Sequence, residues 1–156
     1  MITPQDRINN VQELIAQEHG DGLYTTEILK NFRSRAFASI TATQDFIRDC
    51  KHKNIPVIGY GAPAKSSVFL NYAGIRPEFI IEDTPLKQGK FTPGMSIPIV
   101  SPTAFDQLEH HPQVCFMILA WNFYDEIRTK IQSQRPDKQD IFVKYLPNFQ
   151  VEGTLV

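Results

Sequence analysis

From Asn54 onward the chain repeats one pattern, a short apolar run followed by an amphipathic stretch. The runs "IPVIGY" (55–60), "EFIIE" (78–82), "IPIV" (97–100), "VCFMILA" (114–120) and "IFVKY" (141–145) read as buried strands. Between them, "AKSSVFLNYAG" (64–74), "SPTAFDQLEH" (101–110) and "NFYDEIRTKIQSQ" (122–134) read as helices. Gly74 ends the first of these, and Ser101 before Pro102 opens the second as an N-cap with proline at N1. Strands that alternate with helices build a parallel sheet covered by helices on both faces. Right-handed crossovers then leave few arrangements. The predicted fold is α/β, a Rossmann-like parallel sheet of about five strands in flavodoxin-like or half-Rossmann order.

A different texture precedes Asn54. Ile8, Val11, Leu14 and Ile15 fall at helical spacing within residues 5–18, and "HGDG" (19–22) stops that helix. No Gly or Pro interrupts residues 25–51, where Ile28, Leu29, Phe32, Phe37, Ile40, Phe46 and Ile47 predict one long helix with an apolar side toward a partner surface. The expected organisation is a helical arm over residues 1–52, followed by the Rossmann-like domain over 53–156.

In sheets of this kind ligands bind beyond the carboxyl ends of the strands, where the strand order reverses. "GYGAPAK" (59–65) occupies that place and reads as a G-x-G-x-x-A variant of the dinucleotide fingerprint. Gly59 is expected to make the tight turn, Gly61 to let backbone approach a phosphate, and Ala64 to pack the helix closely on the strand. Amides at the helix start attract an anion, and Lys65 adds a full charge. Glu82 stands 21 residues after Gly61, where an acid accepts a ribose hydroxyl. The loop "DTPLKQGKFTPGMS" (83–96) brings Lys87 and Lys90 to the same edge, suited to a diphosphate. Trp121 and Asn122 follow the fourth strand on that edge as well. A tryptophan there stacks on a base or sugar, while Asn122 serves most simply as a helix cap.

The 16 basic and 17 acidic residues leave a formal net charge of −1, which gives no footprint for nucleic acid or an anionic membrane. No apolar stretch is long enough to span a bilayer, and "MITPQDRINN" is not a secretory signal. Cys50 and Cys115 stand far apart without CxxC spacing, and the four histidines form no metal-ligand pattern. The expected location is therefore cytoplasmic, with no metal. No nucleophile–base motif and no pair of catalytic carboxylates stands out, so no catalytic residue is assigned.

The runs 59–75, 80–102 and 118–127 together resemble the C-terminal domain of the SAM-dependent sugar C-methyltransferases, which make branched deoxysugars on nucleotide-diphosphate carriers. In this resemblance Gly59, Tyr60, Gly61, Ala62 and Lys65 match the turn, and Asp83, Pro85, Lys87, Gln88 and Gly89 match the second motif. Pro93, Gly94, Trp121, Asn122 and Glu126 match the remainder. Ser66 and Ser67 depart from the pattern, and Glu82 replaces a usual Asp.

The resemblance implies a domain that helps to hold a nucleotide-sugar. Full family members resemble a three-part chain, with a zinc module, a central SAM-binding domain that carries the catalytic base, and this domain. The sequence contains neither a cysteine cluster nor a second glycine-rich turn for SAM. SAM is therefore expected on a partner domain or a separate methyltransferase chain, and the domain is expected to be non-catalytic alone. The residues themselves leave a second reading open, a small NAD(P)- or CoA-using enzyme in which Glu82 reads the ribose.

Overall fold

The computed structural model describes residues 4–156, with side chains from Asn10 onward; Ile8 of the first expected apolar stripe lies outside the described side chains. The chain forms two compact units, residues 1–38 and 39–156. In the first, α1 (Pro4–Gly20) ends where expected, and Gly22 turns the chain at φ +72°. Thr25 starts α2 (Thr26–His52): its hydroxyl donates to Gly22 O at 2.7 Å and accepts from the Ile28 amide. Val11, Leu14, Leu23, Leu29 and Phe32 on this arm are all exposed.

The second unit holds one six-stranded sheet in the order β3-β2-β1-β4-β5-β6. Its strands are β1 (Val57–Tyr60), β2 (Ile80–Ile81), β3 (Ile99–Val100), β4 (Cys115–Ile118), β5 (Ile141–Lys144) and β6 (Gln150–Glu152). All neighbours pair in parallel except β5 with β6. The first five strands are those expected from sequence, each shorter than its apolar run; β6 was not expected. The helices are α3 (Ala64–Ala73), α4 (Phe105–Leu108) and α5 (Tyr124–Gln134). The helix expected over 101–110 is a 3₁₀ turn (Pro102–Ala104) that continues into the single turn of α4.

Alternation along each strand produces two cores. Val57, Ile80, Cys115, Met117, Ile141 and Val143 face one side, where Ile47 and Cys50 of α2 and Leu70 and Ala73 of α3 cover them. Ile58, Tyr60, Ile81, Phe116, Ile118 and Phe142 face the other, under Leu108 of α4 and Ile131 of α5. The middle of α2 is also tied down by a polar contact, because Ser39 is buried and its hydroxyl donates to Tyr145 O. Arg135 and Asp140 form a buried ion pair at the opposite end of the sheet from the glycine-rich turn. The guanidinium also donates to Leu108 O and His111 O, so it pins the end of α5 to the loop before β4. Among the described residues no helix is long and apolar enough to cross a membrane.

Candidate functional site

The strand order reverses between β1 and β4, so their carboxyl ends frame the crevice in which sheets of this type bind ligands. The chain leaving β1 is fixed from both sides. Leu119 N–H donates to Tyr60 O at 2.9 Å, and Gly61 N–H donates to Ile81 O at 2.8 Å. Gly61 carries the turn at φ +80°, and a Cβ there would sit 3.0 Å from that of Ala120. Both facts favour glycine. Gly59 differs from expectation, since it lies within β1 rather than in the turn. It is needed for packing: a Cβ would come 2.8 Å from Ile80 Cγ1 and 3.0 Å from Leu119 Cδ1. Pro63 is extended (φ −73°, ψ 152°) and precedes α3 instead of belonging to it. The buried Ser66 hydroxyl donates back to Pro63 O, a local brace that accounts for a serine at this departure from the family pattern.

Glu82 is placed where an acid was expected, but its carboxylate is engaged by the protein itself. Oε2 accepts the Ala62 amide at 2.8 Å and Lys87 Nζ at 3.2 Å, and Oε1 accepts the Thr84 amide at 2.9 Å. The residue is only 6% exposed. Burial alone would raise its pKa. The Thr84 and Ala62 amides and the Lys87 ammonium more than offset this and hold it at about 2. One amide of the turn therefore already faces a negative charge built into the fold.

On one side of the crevice the structure brings together Lys65, Trp121 and Asn122. Lys65 Nζ donates to Asn122 Oδ1 at 2.7 Å and lies 4.4 Å from the centre of the Trp121 ring. Asn122 thus does not cap α5, as the sequence suggested. A 3₁₀ turn (Trp121–Phe123) precedes that helix and carries Asn122 outside the capping position. Trp121 Nε1 is buried without a partner among the described residues. Trp121 and Asn122 also line a cavity of about 440 Å³ with Phe123, Glu126 and Lys144.

The loop after β2 is less basic toward the turn than its sequence implied. Lys87 reaches Glu82, and Gln88 Nε2 donates to Glu82 O at 2.8 Å. Lys90, however, runs alongside β3, because Gly89 N–H donates to Ile99 O and Ile99 N–H donates to Lys90 O. Backbone pairing, not charge, decides where this segment goes.

Across β1 from Lys65 lies a second cluster. Tyr60 O–H donates to Asp83 at 3.1 Å, and Lys130 Nζ of α5 pairs with the same carboxylate at 2.5 Å. The Lys130 ammonium also lies 5.7 Å from the Tyr60 ring centre. Burial and Asp83 raise the Tyr60 pKa, although Lys130 opposes them, so the phenol stays protonated near neutrality. Sequence reasoning missed Lys130. It sits inside an amphipathic helix with no motif around it, and only α5 packing over the sheet reveals its neighbours.

Over residues 2–147 the chain matches the C-methyltransferase C-terminal domain. It is similar to the C-methyltransferase NovU of Streptomyces niveus, at 33% identity over 120 residues, which cover 75% of this chain and 28% of that protein. The chain thus spans little more than a quarter of that relative's length. With a family match across nearly its whole length, and the glycine-rich turn at the switch point of its sheet, the chain belongs to the C-methyltransferase C-terminal domain family.

Proposed function

We propose that this domain holds a nucleotide-diphosphate sugar across the carboxyl ends of β1 and β4 and presents it to SAM-dependent methyltransferase machinery on another domain or chain. The observation that carries the reading is the Lys65 ammonium, held by Asn122 and the Trp121 ring at the switch point of the sheet, in a member of this family. The first amides of α3 and the Lys65 ammonium suit the diphosphate, and the Trp121 ring suits a base or sugar. The exposed Leu29 and Phe32 on α2 support a docking role for the 25–51 helix. The NAD(P)- or CoA-enzyme alternative has weaker support, because the acid it needs for the ribose is Glu82, whose oxygens are already engaged.

Parallel calorimetric titrations with dTDP-glucose, UDP-glucose, NAD, CoA and SAM test the proposal. Binding of a nucleotide-sugar without SAM is the expected result. NAD or CoA binding in its place overturns it in favour of the enzyme alternative, and SAM binding overturns the substrate-holding role.

A further inference from the structure

In sheets of this strand order, the acid at the end of the second strand accepts a hydroxyl of the nucleoside's pentose. Glu82 is oriented toward the turn, buried, and already accepts three protein donors. The next residue, Asp83, meets Tyr60 and Lys130 instead of the turn, and its side chain is 49% exposed. We infer that Asp83 reads the pentose hydroxyls of the bound nucleotide, with Lys130 and Tyr60 as positioning residues that hold its carboxylate in place. The inference rests on the diphosphate reading of the neighbouring turn.

Three features carry it. Tyr60 is 1% exposed, so its hydroxyl has a fixed position, and it contacts Asp83 Oδ1 and Oδ2 at 3.2 and 3.1 Å. Lys130 of α5 donates to Oδ1 as well, so two protein donors hold the carboxylate. An ionised carboxylate has about four acceptor positions, and those left open on the exposed side suit hydroxyl donors. The half-exposed Lys130 ammonium can in turn donate to a hydroxyl oxygen, which fits the pair to a pentose hydroxyl. An exposed ion pair contributes little to stability, so the fold alone gives scant reason for joining β1, β2 and α5 in this way.

The test is calorimetry of wild type, Asp83→Asn and Lys130→Met with inorganic pyrophosphate, UDP and 2′,3′-dideoxy-UDP, after thermal unfolding has established that each variant folds. Wild type is expected to bind UDP about tenfold or more tighter than the dideoxy nucleotide, the range for hydrogen bonds to a charged group. Asp83→Asn should abolish that preference and leave pyrophosphate affinity unchanged, and Lys130→Met should narrow it. An unaltered preference in Asp83→Asn, with pyrophosphate still bound, overturns the inference and leaves the diphosphate reading standing. So does an equal loss of all three ligands, which marks Asp83 as structural. Failure of wild type to bind pyrophosphate overturns the diphosphate reading, and this inference with it.

Discussion

Replacing Glu82 with Gln separates the built-in charge of the turn from its shape. The carboxylate titrates at about 2 instead of its ordinary 4.5, a difference worth about 3 kcal/mol of folding stability at neutral pH. Since the folded value lies below the unfolded one, that contribution is complete above about pH 4.5, is lost as the pH falls, and is gone below about pH 2. The backbone amides supply most of it, because Lys87 is 44% exposed and its ion pair is screened by water. Gln keeps the length but turns an NH₂ toward one of the amides that the carboxylate satisfied, leaving a buried donor unpaired. For a chain of this size, about 3 kcal/mol lowers the melting temperature by roughly 6–12 °C. Thermal unfolding followed by circular dichroism from pH 7 to pH 2.5 reads both quantities. The variant should melt lower at pH 7, and the gap should close with acid as wild-type Glu82 takes up its proton. Equal melting at pH 7, or a gap as wide at pH 2.5 as at pH 7, refutes the reasoning.

Gly61→Val should abolish pyrophosphate binding in calorimetry and lower the melting temperature, because φ +80° and the 3.0 Å approach to Ala120 both exclude a branched side chain. Lys65→Ala should weaken pyrophosphate by about 1.5–3 kcal/mol with little change in melting, a test of whether Lys65 leaves Asn122 for the ligand. Arg135→Met should cost about 3–5 kcal/mol in urea unfolding, since it leaves Asp140 buried without its cation. The Cys50 hydrogen bond and burial push the Cys115 thiol well up, while the Cys115 hydrogen bond lowers that of Cys50. Both side chains are fully buried, so neither should react with a thiol reagent until the protein unfolds.

The sheet was legible in the sequence wherever burial on both faces left an unbroken apolar run, as in "VCFMILA". β6 was not, since Gln150 and Glu152 flank its single apolar Val151 and antiparallel pairing with β5 alone makes it a strand. The long helix was placed nearly to the residue, yet its pattern did not tell the exposed Leu29 and Phe32 from the buried Ile47 and Cys50. At the site, spacing located the turn and the acid after β2. It did not reveal which donors the acid meets, because the Ala62 amide reaches Glu82 only once β1 and β2 are paired, and Thr84 and Lys87 turn back to it in the loop after β2. Lys130 is the extreme case, a residue 47 positions from Asp83 whose partner depends on how α5 crosses the sheet.

The outer margins of the sheet bear on how molecules of this kind avoid joining one another. An open margin of unpaired amides and carbonyls is a template for cross-chain β pairing and aggregation. β3 is two residues long, and the segment from Gly89 to Thr92 folds back along it, through the Phe91–Pro98 bridge and the Thr92–Ile97 bond. At the other margin, β6 offers three residues before Gly153 turns the chain at φ +98°. Neither side gives a second chain a long, flat row of free backbone groups, so the sheet is poorly suited to extend from one molecule into the next.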